Sequence, residues 1–220
     1  MYFHREIDQL KKMILRLGTL VEDRLRRACT LLETKDEAQA QAIMTEDWEI
    51  DDMEIRVEEE CLKILALHQP VARDLRLIVS IIKINSELER IADIAVNIAK
   101  RIITINKCKT PDFVIVPDYK PMATQVLEMV KTSLDALVTE DAGLARSIFV
   151  MDDEVNRLRD AAYKTVIREI ALHGDNAACL VNTYLIARHL ERIGDRAKNI
   201  AEETIYLVEG EIVRSSEDPQ

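Results

Sequence analysis

Turn-forming and aromatic residues are scarce in this chain. Its 220 residues include 5 glycines and 5 prolines, and only 4% of them are aromatic. β-Sandwiches and β-barrels need many turn residues, together with β-branched and aromatic side chains in their strands. Apolar residues nevertheless make up 48% of the chain, which is too large a share for a disordered protein. The composition therefore predicts a folded, helical protein.

Long apolar runs are also missing. The purely apolar stretches are a few residues long, whereas a membrane-spanning helix needs roughly 20. The first eight residues are charged where a signal peptide would be apolar. The four cysteines lie far apart without a C-x-x-C pair, so their spacing predicts neither a zinc knuckle nor a disulfide framework; they are Cys29, Cys61, Cys108 and Cys179. We expect a cytoplasmic protein without a transmembrane segment.

Basic residues are outnumbered by acidic ones. The chain has 30 Lys and Arg against 40 Asp and Glu, which gives a formal net charge of −10. Modules that bind duplex nucleic acid normally carry an excess of positive charge. Nucleic acid is therefore not an expected partner.

Apolar residues recur at helical spacing in six segments. In the first segment Arg24 is the single exception to the apolar stripe. The third segment is apolar on two faces, which is typical of a central helix with neighbours on both sides. The spacing predicts helices over about 7–34, 37–67, 70–105, 126–137, 144–162 and 177–209.

The sequence contains an internal repeat. Residues 88–99, LERIADIAVNIA, match residues 190–201, LERIGDRAKNIA, at nine of twelve positions with an offset of 102. Between the two copies, residues 106–118 lose the helical period and contain two prolines, as a linker does. We predict an all-α fold of two tandem, pseudo-symmetric three-helix bundles. The first bundle covers 1–105, the linker 106–118, the second bundle 119–210 and a polar tail 211–220.

Each copy of the repeat carries a Glu-x-x-x-Asp motif. Glu89 and Asp93 form it in the first half, and Glu191 and Asp195 in the second. Side chains four residues apart lie on one face of a helix, so each pair presents two carboxylates together.

The helix that precedes each motif supplies further acidic groups. Asp47 and Asp51 lie on or beside an apolar stripe in the first half; Asp152 takes the place of Asp47 in the second half, where Asn156 replaces Asp51. If the acidic faces pack together, their oxygens could bind a hard metal cation. The candidate ligands are Asp47, Asp51, Glu89, Asp93, Asp152, Glu191 and Asp195.

Ion pairing is an alternative explanation of these acids. Nearby arginines could neutralise them without metal; they are Arg73, Arg76, Arg90, Arg192 and Arg196. A ferritin-like di-iron site is not expected, because neither motif is a Glu-x-x-His pair. The sequence also lacks a Ser/His/Asp or Cys/His constellation and a glycine-rich phosphate loop. We therefore expect a protein that is not an enzyme.

The twin repeat segments, together with the stretch QPVARDLR at residues 69–76, resemble the PhoU family of bacterial phosphate-uptake regulators. The likeness covers nearly the whole chain. It implies two pseudo-symmetric three-helix bundles and, in some members, multinuclear metal on acidic motifs of the kind described above. The metal could be iron, manganese, magnesium or zinc. The sequence departs from the common E-R-I-G-D pattern at Ala92, which removes no ligand.

The resemblance also implies a regulatory activity. It implies a cytoplasmic adaptor that connects the ATPase subunit of the phosphate ABC importer with the phosphate-sensing histidine kinase, as members of the family do. They repress the phosphate-starvation response, usually form homodimers, and reach the membrane only through their partners. Two alternatives stay open: a carboxylate-bridged metal-binding or metal-storage protein, and a structural helical bundle with solvated acids.

Overall fold

The computed structural model describes residues 2–46, 48–112 and 114–213, and within them it contains helices and no strands. The helices are α1 (Tyr2–Thr34), α2 (Glu37–Thr45), α3 (Trp48–His68), α4 (Ala72–Asn106), α5 (Lys120–Thr139), α6 (Ala142–Leu172) and α7 (Ala177–Glu209), with a short 3-10 turn at Gly174–Asn176. The all-α prediction is confirmed. None of these helices carries an apolar stretch that could cross a bilayer.

The second predicted helix is broken in two, so the prediction of one continuous helix after Asp36 is wrong. The helix α2 ends at Thr45, and α3 begins at Trp48. Arg24 of α1 contacts the end of α2 at this break. This buried side chain of α1 donates a hydrogen bond of 2.5 Å to the backbone carbonyl of Glu46, which a continuous helix would use internally. The residue that interrupts the apolar stripe of α1 therefore stabilises the end of α2.

The segment between α4 and α5 folds back along the second bundle. The side chain of Val114 packs against Val166 and Leu180, and the Tyr119 hydroxyl donates a hydrogen bond of 2.5 Å to the carbonyl of Thr183. This segment also pairs Cys108 with Cys179 in a disulfide, with Cα atoms 6.0 Å apart. The expectation from cysteine spacing is wrong here, because a tertiary fold-back joins residues 71 positions apart.

The helices α4 and α7 form the seam between the two halves. They run antiparallel, since residues later in α4 contact residues earlier in α7. Lys83 contacts Glu203 at 2.8 Å, and the carboxylate of Glu87 accepts hydrogen bonds of 3.2 Å from both Arg196 and Asn199. One continuous apolar core lies on both sides of the seam. The prediction that the third helix is central is therefore confirmed.

The duplication is visible in the hydrogen bonds of this seam. The Ser80 hydroxyl donates to the backbone carbonyl of Glu203, and Arg101 donates to the side-chain oxygen of Asn182. With the repeat offset of 102, position 80 corresponds to position 182, and position 101 corresponds to position 203. The two contacts therefore join equivalent pairs of positions, with the two halves exchanged. The seam therefore lies on a pseudo-two-fold axis.

Candidate functional site

The acidic motifs lie where a long helix of each half packs against its neighbour. In the first half α4 carries Glu89 and Asp93 and packs against α3, which carries Asp51. In the second half α7 packs against α6 in the same way, and these helices carry Glu191, Asp195 and Asp152. Asp47 lies outside the described residues.

In the second half the acids are buried and paired with cations. Asp152 and Glu191 are only 3% and 6% exposed. The Lys198 ammonium lies 3.1 Å from Oδ2 of Asp152, which also accepts a hydrogen bond of 3.3 Å from Asn156. Two arginines, Arg159 and Arg188, hold the carboxylate of Glu191, the latter at 2.8 Å. These cations offset much of the negative charge of the cluster, whereas Oδ1 of Asp152 is buried and has no hydrogen-bond partner among the described residues.

Asp195 completes the second cluster. Burial raises the pKa of its carboxyl, and the neighbouring carboxylates of Glu191 and Asp152 raise it further. The cations of Arg196 and Lys198 oppose this shift. The second half thus brings together all three of its predicted ligands, together with the countercharge that keeps them inside the protein.

The first half lacks the equivalents of these cations. Subtracting the repeat offset places Val96 at the position of Lys198 and Ser86 at that of Arg188. On α3, where the offset is 105, Glu54 takes the position of Arg159. An apolar, a polar and an acidic residue therefore replace the three cations. The same fold holds a cluster paired with cations in one half and an acidic cluster in the other.

The consequence is a carboxyl with a strongly raised pKa. Burial, the charge of Asp93 and a hydrogen bond with Asp93 raise the pKa of Glu89 to about 7. The charges of Glu54 and Asp51 add to the shift. Glu54 itself has a raised pKa, chiefly through burial. Four carboxyl groups therefore lie close enough to repel one another, and a bound cation would relieve that repulsion.

Three of the arginines that the sequence offered as countercharge for the motifs form ion pairs with other acids. Arg90 and Arg196, which were candidates to neutralise the motifs, form their ion pairs with Glu87, and Arg73 contacts Glu140. Arg196 acts on Asp195 through its charge alone. Helical spacing indicates only the contact of Arg188 with Glu191, which lies three residues further along α7. Lys198 and Arg159 pair across the contact between α6 and α7, with Asp152 and Glu191. Among the described residues, no three His, Cys, Asp or Glu side chains form a ready coordination site. The metal assignment stays a prediction.

The comparisons with known proteins agree with this architecture. The sequence model of the PhoU domain matches the chain twice, over residues 14–102 and 119–204, which together cover both halves of the duplication. The chain belongs to the PhoU family. The resemblance inferred from the repeat motifs is thereby confirmed, as are two PhoU domains in tandem.

Named relatives and solved structures match over nearly the whole chain. Two relatives carry the name phosphate-specific transport system accessory protein PhoU homolog. The one from Pseudomonas aeruginosa is 39% identical, and the match covers 96% of this chain and 87% of the relative. The one from Clostridium acetobutylicum is 35% identical, and the match covers 96% of both chains. The crystal structure of PhoU from Pseudomonas aeruginosa has a TM-score of 0.88 at 36% identity, covering 95% of this chain and all of that one. The phosphate transport system regulatory protein PhoU from Streptococcus pneumoniae has a TM-score of 0.86 at 30% identity, covering 97% and 100%.

The second half has room for the methyl group by which Ala92 departs from the family pattern. Its counterpart is Gly194, and a Cβ atom at Gly194 would lie 3.5 Å from both Asp152 Oδ1 and Met129 Cε. That distance is an ordinary van der Waals contact. A methyl group at Gly194 would therefore need no rearrangement of Asp152.

The first-half cluster predicts a pH-dependent stability. Because the folded state raises the pKa of Glu89, ionisation of this carboxyl costs stability as the pH rises from about 4.5 towards 7. We expect Glu89→Gln to be more stable than the parent at pH 8 in metal-free buffer. Solvent screening of this partly buried group limits the gain to about 1 kcal/mol, or roughly 2–4 °C in Tm.

Thermal unfolding of both proteins from pH 4 to pH 8 measures this gain, which should vanish below about pH 4.5. Glu154→Gln is the control, since Glu154 is an exposed acid paired with Arg157 on its own helix. A gain at pH 8 that persists undiminished at pH 4 would show that the acidic repulsion is not its cause.

Proposed function

We propose that the protein is a cytoplasmic, non-enzymatic regulator of phosphate uptake that represses the phosphate-starvation response. In this role it connects the ATPase subunit of the phosphate ABC importer with a phosphate-sensing histidine kinase, and it acts as a homodimer. The observation that carries the proposal is family membership over both halves of the chain, with relatives named as accessory or regulatory proteins of phosphate transport.

The geometry is compatible with an adaptor. The helices α1, α4 and α7 have 33, 35 and 33 residues, so each is roughly 50 Å long. Helices of this length offer extended faces on which two partners can bind at separate places. An antiparallel seam with one continuous core keeps such faces at a constant mutual distance. Rigid spacing between two docking faces is what an adaptor needs.

The adaptor role is tested in the native bacterium. Deletion of the gene should activate a phosphate-starvation promoter even in phosphate-rich medium, and the full chain supplied in trans should restore repression. A tagged protein should retain both the importer ATPase and the kinase in high phosphate. It should still retain the ATPase in a strain without the kinase, because the two partners bind separately.

Two results would contradict the adaptor proposal. One is an unchanged promoter in the deletion strain. The other is the absence of both partners from the tagged protein at high and at low phosphate.

We propose as a second function that the acidic cluster of the first half binds a hard metal cation. The absence of the three cations found in the second half favours this cluster over the other. Asp51, Glu89 and Asp93, with Asp47, would supply carboxylate oxygens, the donors that Mg²⁺, Mn²⁺ and ferric iron prefer. A cation would stabilise the ionised forms of these groups. Metal storage is the alternative role of the same site.

The duplication provides a matched control for this metal site. Elemental analysis of protein purified without chelator should find stoichiometric metal in the parent and none in Glu89→Gln/Asp93→Asn. The equivalent variant of the second half, Glu191→Gln/Asp195→Asn, should keep its metal. Equal retention by both variants, or a metal-free parent, would contradict the proposal. Turnover of ferrous iron with oxygen would favour storage.

A further inference from the structure

An apolar stripe on α3 is uncovered in the described structure. Trp48, Ile55 and Leu62 lie seven residues apart and therefore follow one line along the helix. Their exposed fractions are 70%, 53% and 54%. The opposite side of α3, with Ile50 and Val57, is buried against the bundle. Single exposed apolar residues are common, but an aligned set that includes a tryptophan is typical of an interaction surface.

The fold itself does not require this stripe. On α6, which is the counterpart of α3 with an offset of 105, the three positions hold Asp153, Asp160 and Ile167. The buried residues correspond in the same register, since Ile50 matches Val155 and both are buried. The second half therefore keeps the packing face of this helix and has acids at two of the three stripe positions. The stripe is a property of the first half alone.

Acidic residues lie on both sides of the stripe, and on the side of α1 they are interspersed with basic residues. Trp48 and Ile55 are each followed by two acids, three and four residues further along the helix, and this spacing places the acids beside the stripe. These acids are Asp51, Asp52, Glu58 and Glu59. On the side of α1 basic residues accompany these acids. Arg56 lies 2.9 Å from Asp52, Lys63 lies 3.0 Å from Glu60, and Lys12 and Arg16 line one groove with Glu59. The surface thus combines an apolar centre with an acidic border on the side of α4, where Asp51 and Glu58 lie close to Glu54.

From this pattern we infer that the outer face of α3 docks a basic amphipathic helix of a partner protein. Such a helix would place its apolar residues on Trp48, Ile55 and Leu62, and its Lys and Arg side chains against the acidic pairs. A second copy of the chain would oppose like charges across a symmetric interface. An anionic membrane surface would repel the same acids. Charge complementarity therefore favours the basic helix over both.

The inference does not depend on the adaptor role proposed above, because it rests on this surface alone. It also has an intrinsic reporter. Trp48 is the only tryptophan of the chain. Its fluorescence emission therefore responds to the polarity of this surface without a signal from any other site.

The experiment titrates the full-length protein with a synthetic helix of about 18 residues, or five turns, that has leucine on one face and lysine and arginine beside it. We expect a saturable shift of the Trp48 emission to shorter wavelength. Raising the ionic strength from about 0.05 to about 0.5 M should weaken binding severalfold. A peptide with glutamate in place of the basic residues should cause no shift.

Variants locate the binding surface. Ile55→Ser/Leu62→Ser, which changes only exposed side chains, should weaken binding about tenfold or more while the circular dichroism spectrum is unchanged. Asp52→Lys/Glu59→Lys should show no emission shift with the basic peptide. The same variant should show a shift with the glutamate peptide. Ile167→Ser is the matched control, since Ile167 is the counterpart of Leu62 on α6 and is 48% exposed. It should bind as the parent does.

Three results would overturn the inference. The first is equal affinity of the parent and Ile55→Ser/Leu62→Ser. The second is an emission shift with phosphatidylserine vesicles and none with the basic peptide, which would assign the surface to a membrane. The third is a shift of the Trp48 emission that occurs without peptide when the protein concentration is raised. This result would assign the surface to a second copy of the chain.

Discussion

The antiparallel packing of α4 against α7 is the constraint on which the rest of the structure depends. Each of these helices is the last helix of its half, and each carries one copy of the repeat. Their contact joins two apolar cores into one. It also sets the position of both acidic clusters, because the Glu-x-x-x-Asp motifs lie on these helices and face α3 and α6. The pseudo-two-fold axis therefore relates the candidate sites as well as the packing.

Duplication has preserved this framework while the two halves acquired different electrostatics. The buried carboxylates of Asp152 and Glu191 are held by Lys198, Arg159 and Arg188, so these three cations offset the charge of the second cluster. In the first half the same positions supply no cation, and the carboxyls repel one another. The first half also carries the apolar stripe on α3. Both proposed binding surfaces consequently belong to the same half.

Much of the fold was predictable because helical periodicity and internal repetition are local signals. The spacing of apolar residues indicated the long helices, the central role of α4 and the linker. The break after Thr45 was not predictable in this way, because the contact of Arg24 at this break comes from another helix. The Cys108–Cys179 pair depends on a fold-back of the linker. For the site, the motif acids were evident, whereas their ion-pair partners required the actual packing of α6 against α7.

Native-state hydrogen exchange tests most directly whether the seam unites the two halves. If α4 and α7 form one core, their central amides should exchange only through global unfolding, with the same free energy of opening in both helices. The dependence of that free energy on denaturant should equal the slope measured for the whole chain. Amides of α7 that exchange at a clearly lower free energy than those of α4 would show two independent bundles, and the account of a shared seam would be wrong.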